Sequence, residues 1–236
     1  MSIPIIVTII ALAVPVFFTI RGFYKGFLKI LFTTFAVLLA IILSALLTKP
    51  LTEYLQEKTF VGTKISEVTS SYVDEKLDDA TVSIEKKQNE FIDSLALPKF
   101  MKGGIRDNNT LAKYKDMGVN SFKEYISCQL TTLTIKLIAF FLLMIVVFIF
   151  LRVIFHLLKI INRIPVIRGL NRLLGGVLGL VEGLIILWLA CLIIMAFSGT
   201  QFGATCMEVI SKSPVLAFIY DNNLLILATK TIFAAL

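Results

Sequence analysis

Four long apolar runs constrain this chain more than any other feature. They are Ile3–Ile20, Phe27–Leu47, Leu130–Leu151 and Leu173–Phe197. Each is close to the ~20 residues that cross ~30 Å of hydrocarbon at a helical rise of 1.5 Å per residue. In lipid every backbone polar group must find a partner within the protein, so runs of this length span as helices. Composition agrees: 57% of residues are hydrophobic and 17% charged, and the mean hydropathy is +0.88. The expected fold is an all-α polytopic membrane protein with four transmembrane helices arranged as two hairpins.

Charge between the runs predicts an orientation. Arg21 and Lys25 separate runs one and two, with Lys29 two residues into the second, and Arg152, Lys159, Arg163, Arg168 and Arg172 separate runs three and four, in both cases without an acid. Between runs two and three lie residues 48–129, with twelve Lys/Arg balanced by thirteen Asp/Glu. Short unopposed basic loops stay in the cytoplasm. Both hairpin turns are therefore expected inside, and the N-terminus, the long insert and the C-terminal tail outside, in a multi-pass protein of the inner (cytoplasmic) membrane. This divides the chain into a first hairpin (1–47), an extracytoplasmic helical insert (48–129), a second hairpin (130–203) and an apolar helical tail on the outer face (204–236).

The net charge of +7 does not point to nucleic acid. Eight basic residues fall in or beside the two short loops, where Arg21, Lys25, Lys29, Arg163, Arg168 and Arg172 would face anionic lipid headgroups. The first run is expected to be a retained span and not a cleaved signal peptide, because its positive charge follows the apolar stretch instead of preceding it. Pro15 lies inside it and should loosen that helix locally.

The insert reads as helical. Apolar residues recur in steps of three and four at Val61, Ile65, Val68 and Tyr72, then at Val73, Leu77, Ala80 and Ile84, then at Phe91 and Leu95. Pro98 should end that stripe, Gly103-Gly104 with Asp107-Asn108-Asn109 should turn the chain, and a second stripe from Leu111 to Ile126 should feed the third span. An αα-hairpin outside the membrane is expected. It would pack on itself and the bilayer surface, and it offers a face for another envelope protein.

Within the membrane, glycine carries the sharpest pattern. Gly175, Gly179 and Gly183 form an i, i+4, i+8 ridge on span four, and Gly22 and Gly26 repeat the spacing where the first hairpin turns. Small residues let helix backbones approach in lipid, where there is little hydrophobic drive between helices. The ridge predicts close packing within one subunit; a homo-oligomer interface and a flexible gating helix are the alternatives. Glu182 is the one acid inside a run and needs a partner if deep; His156, Lys159 and Arg163 are the candidates, and Glu182 with His156 forms a candidate intramembrane polar site. No catalytic motif, phosphate loop, dinucleotide fingerprint or metal-ligand spacing is visible, and Cys128, Cys191 and Cys206 have no ligand spacing. No enzyme, cofactor or metal is expected.

Several of these stretches resemble one family. Arg21-Gly22-Phe23 with Gly26 looks like the entry to span two in the colicin V production family. Asn171-Arg172-Leu173-Leu174-Gly175-Gly176-Val177-Leu178-Gly179, followed by Gly183, resembles that family's second hairpin, and Ser211-Lys212-Ser213-Pro214 its tail. The insert containing Leu97-Pro98 is similar to the longer versions found in Gram-positive bacteria. Glu182 departs from the pattern, at a position where members vary. The resemblance implies an inner-membrane protein linked to production or export of a peptide toxin and to envelope homeostasis, and it brings no catalytic residues. A non-enzymatic export factor is therefore expected. The alternative is a small oligomeric channel or transporter with span four lining its pathway.

Overall fold

A computed structural model of the protein describes residues 3–77, 84–157 and 168–225. Within them the chain forms ten helices: α1 (Ile3–Lys25), α2 (Phe27–Lys58), α3 (Phe60–Lys76), α4 (Glu85–Ser94), α5 (Lys99–Asp107), α6 (Leu111–Met117), α7 (Phe122–Leu157), α8 (Arg168–Ala196), α9 (Gln201–Ser211) and α10 (Pro214–Asp221). No strand occurs among the described residues. Four helices, α1, α2, α7 and α8, are long and apolar enough to cross a membrane. The all-α polytopic fold with two membrane hairpins follows from the sequence as expected, although α2 and α7 run well past the apolar stretches that foretold them.

The chain divides into two compact units, one of residues 1–48 and 140–190, the other of residues 49–139 and 191–236. In the first, the turn from α1 to α2 is a single residue. Gly26 sits at φ +83°, and its N–H donates to the Gly22 carbonyl at 2.8 Å. That left-handed conformation is open to glycine at little cost, which is why the chain can reverse so tightly here. The amide of Leu28, at the uncapped start of α2, donates to Oδ1 of Asn171 on α8 at 3.4 Å. Pro15 and Gly22 are the buried residues of α1. Along α2 small residues recur every fourth position at Ala36, Ala40, Ser44 and Thr48, and all four are buried. The Thr48 hydroxyl donates to the Ser44 carbonyl at 2.7 Å, which keeps a buried polar group satisfied within the helix.

The second unit departs from the expected αα-hairpin. Four helices, α3 to α6, of 17, 10, 9 and 7 residues, stand where two stripes were predicted. Gly103-Gly104 does not turn the chain: both lie inside α5, which Pro98 precedes as its N-cap. A Cβ at either glycine would touch nothing within 4 Å, so they sit on the open side and cost only helix propensity, ~1 kcal/mol each. The chain turns instead at Asn108–Thr110, where Thr110 caps α6 by accepting from the Lys113 amide. Gly118, left-handed at φ +69°, then interrupts the second stripe before α7 begins. Val68, Ile84 and Leu111, all expected on the apolar face, are exposed, whereas Tyr72, Val73, Leu77, Phe91, Leu95, Phe122, Tyr125 and Ile126 are buried as their spacing implied. Ala80 lies outside the described residues.

The C-terminal helices belong to this same unit. Ser213 accepts from the Leu216 amide at the start of α10, and α9 and α10 are bent by 117° at that point. The Tyr220 hydroxyl donates to the Ala96 carbonyl at 2.6 Å, and Lys99 Nζ pairs with Asp221 Oδ2 at 2.9 Å. The tail thus closes on the segment between α4 and α5. Nearby, the Tyr125 hydroxyl donates to the Ile105 carbonyl at 2.9 Å, tying the start of α7 to α5.

Candidate functional site

The first unit is built on a glycine seam. Cβ atoms placed on the ridge glycines would run into α1: Gly175 against the Gly22 carbonyl, Gly179 against the Phe18 carbonyl, and Gly183 against Pro15 Cα at 2.6 Å. Conversely, a Cβ on Gly22 would strike the Gly175 carbonyl, and one on Gly26 would strike the Asn171 side chain. Pairings of 15 with 183, 18 with 179, 22 with 175 and 26 with 171 step in opposite directions, so α1 and α8 pack antiparallel at backbone contact. The five predicted packing glycines therefore meet in one intramolecular interface. Gly183 also lets α8 approach where Pro15 lacks the N–H that would bond the Ala11 carbonyl, and one turn on the Thr19 hydroxyl donates to the Pro15 carbonyl at 2.8 Å.

Glu182 lies beside this seam and is buried, its side chain only 6% exposed. Its described partner is Arg21 of α1, whose Nη1 approaches Oε1 at 3.3 Å. The Arg21 guanidinium also stacks over the Phe18 ring, 5.1 Å from its centroid, a favourable cation–π arrangement. Oε2 of Glu182 has no hydrogen-bond partner among the described residues. Arg21, expected in a basic loop facing lipid headgroups, is thus folded back onto the acid. The partners foreseen for Glu182 lie elsewhere: the side chain of His156, and all of Lys159 and Arg163, are outside the described residues. So is the side chain of Arg168, while Arg172, Lys25 and Lys29 are exposed.

Around the ion pair opens a cleft of about 920 Å³, entirely within the first unit. Arg21, Lys25, Lys29 and Arg152 line one part of it, with Glu182 the acid among its lining residues. Phe32, Ala36, Val37, Phe148, Ile149 and Ile186 line another. Arg152 was seen from sequence only as one more loop charge, and nothing in the one-dimensional pattern brings it to Lys29. The cap that Asn171 provides was likewise invisible, because it needs the antiparallel register of α1 and α8. Lys136, a charge inside the third apolar run, is half-buried in the second unit.

Chemically, the site can hold an anion or neutralise a buried acid. Among the described residues no group of three or more His, Cys, Asp or Glu could hold a metal ion, and Cys128, Cys191 and Cys206 are free thiols.

A family model described as colicin V production protein matches residues 7–76 and 113–223 of the chain. The match takes in α1, α2, α3, α7, α8, α9 and α10, and with them the glycine seam, Arg21 and Glu182. Residues 77–112, holding α4, α5 and the link to α6, fall between the two matched stretches. No curated protein and no solved structure matches the chain.

Proposed function

We propose, for a chain that belongs to the colicin V production family, a non-enzymatic role in the cytoplasmic membrane supporting peptide or toxin production, export and envelope homeostasis. The observation that carries this reading is the glycine ridge of α8, which is used up in backbone contact with α1. A channel with α8 lining its pathway would need that ridge, or Glu182, turned toward water. Glu182 borders the cleft, but its side chain is only 6% exposed and is paired with Arg21. In this reading the hairpin turns face the cytoplasm, the termini and residues 48–129 face outward, and the insert with its C-terminal clasp engages another envelope protein or a second copy. The clasp supports placing insert and tail on one side, since Tyr220 and Asp221 bond to the segment at Ala96–Lys99. Deleting the protein from its host should raise dye entry through the envelope and lower secretion of a reporter peptide, both restored by the wild-type chain. Purified protein in liposomes should pass no ions or small solutes. A solute flux from that preparation would overturn the export-factor reading in favour of the channel.

A further inference from the structure

The cleft of the first unit has a polarity that the packing of four helices does not require. On α2 its lining runs Lys29, Phe32, Thr33, Ala36, Val37, one face of the helix at three- and four-residue steps. On α1 it runs Lys25, Arg21, Phe18, and on α7 Arg152 with Val153, then Ile149 and Phe148. On α1 and α2 the cations stand nearest the turn at Gly26 and the apolar residues lie away from it; on α7 Arg152 and Val153 stand together, one to one and a half turns C-terminal to Ile149 and Phe148. From Lys29 to Val37 is ~12 Å of helix rise. Three helices from two hairpins thus present cations together at one end and hydrocarbon together at the other.

The charge at the cationic end is not balanced internally. Four basic side chains meet one carboxylate, and that carboxylate is taken by Arg21 at 3.3 Å. Lys25, Lys29 and Arg152 have no acid among the lining residues left to pair with. All three are exposed, so their charged ends are accessible to a ligand. Glu182 then acts as an internal counter-charge that holds Arg21 in place over Phe18. A volume near 920 Å³ suits a lipid-sized occupant better than a lone inorganic ion.

We infer that this cleft is a binding site for a phosphate-bearing anionic amphiphile, such as a membrane phospholipid: the phosphate lies among Lys25, Lys29, Arg152 and the outer face of Arg21, and a hydrocarbon chain lies along Phe32, Val37, Ile149 and Ile186. Lysine and arginine are the side chains that recognise phosphate oxygens, and basic pockets between transmembrane helices collect anionic headgroups. The apolar wall makes the ligand an amphiphile and not free phosphate. The inference does not depend on the export role proposed above, because it concerns what the cleft holds and not what the protein does with it.

The test is native mass spectrometry of the full chain in detergent, titrated separately with phosphatidylglycerol and with zwitterionic phosphatidylcholine. Phosphatidylglycerol should bind at least tenfold more tightly. The triple variant Lys25→Gln/Lys29→Gln/Arg152→Gln should lose that preference, while Lys58→Gln/Lys64→Gln/Lys76→Gln, which removes equal charge from exposed positions in the other unit, should keep it. Ile149→Trp, which fills the apolar wall from an exposed position, should weaken phosphatidylglycerol binding at unchanged melting temperature. Equal loss in both triple variants would mean diffuse attraction and overturn the site. Binding unaffected by Ile149→Trp but abolished by millimolar inorganic phosphate would mean an anion site without a chain, and would overturn the amphiphile.

Discussion

Arg21 and Glu182 form a pair whose two members are unequally covered, with side-chain exposures of 29% and 6%. Removing one member of a buried pair strands the other, and the penalty is larger for the partner with less access to water. Arg21→Met leaves the carboxylate uncompensated and should destabilise the protein by ~3–5 kcal/mol in detergent melting, on the scale for broken buried pairs. Glu182→Gln keeps the shape and a hydrogen-bonding oxygen, and Arg21 can turn toward solvent, so it should cost ~1 kcal/mol. The double variant should recover most of the Arg21→Met loss, a coupling that a double-mutant cycle measures directly. Additive losses would show that the two groups do not depend on each other. At this scale the sequence was half legible. An acid inside an apolar run announces that it needs a cation, but which cation depends on bringing α1 and α8 into antiparallel register, and Arg21 is 161 residues away.

At the scale of elements, the glycine spacing proved more informative than its chemistry suggests. A four-residue repeat of a residue with no side chain serves close approach or a flexible helix; the structure uses it for close approach, and both halves of the seam were visible as Gly22/Gly26 and Gly175/Gly179/Gly183. What the repeat could not say is whether it meets its own chain or another copy. Gly179→Leu would push Phe18 and Thr19 of α1 away, since even a Cβ there would lie 3.1 Å from Thr19 Cα. It should lower stability by ~1–3 kcal/mol through overpacking and lost dispersion contacts. Ala190→Leu, at an exposed position of the same helix, should be tolerated, and equal melting temperatures for the two would refute the seam. The insert was less legible for an opposite reason. Apolar periodicity survives across helix breaks, so a stripe through α3 and α4 reads as one helix, and Gly103-Gly104 reads as a turn. Short helices are bounded by caps such as Thr59, Thr110 and Gly118, whose signals are single residues.

For the whole molecule, two predictions separate orientation from internal cohesion. With the three native cysteines replaced, a cysteine at Ser94 should react in intact cells with a membrane-impermeant thiol reagent, and one at Tyr24 should not. The reverse pattern would invert the proposed topology. Tyr220→Phe tests the clasp between tail and insert. It leaves the buried Ala96 carbonyl without its donor, which should cost ~1–3 kcal/mol and expose residues 95–99 to proteolysis earlier in a denaturant series. If the variant is indistinguishable from wild type, the tail does not brace the insert.

The one-residue turn at Gly26 has a consequence for how the helices it joins can move. With no loop between α1 and α2, neither helix can slide along its own axis without carrying the start of the other. A side chain at Gly26 would meet both the strain of φ +83° and the Asn171 side chain of α8. The same residue is therefore a joint for the first hairpin and a point of contact with the second.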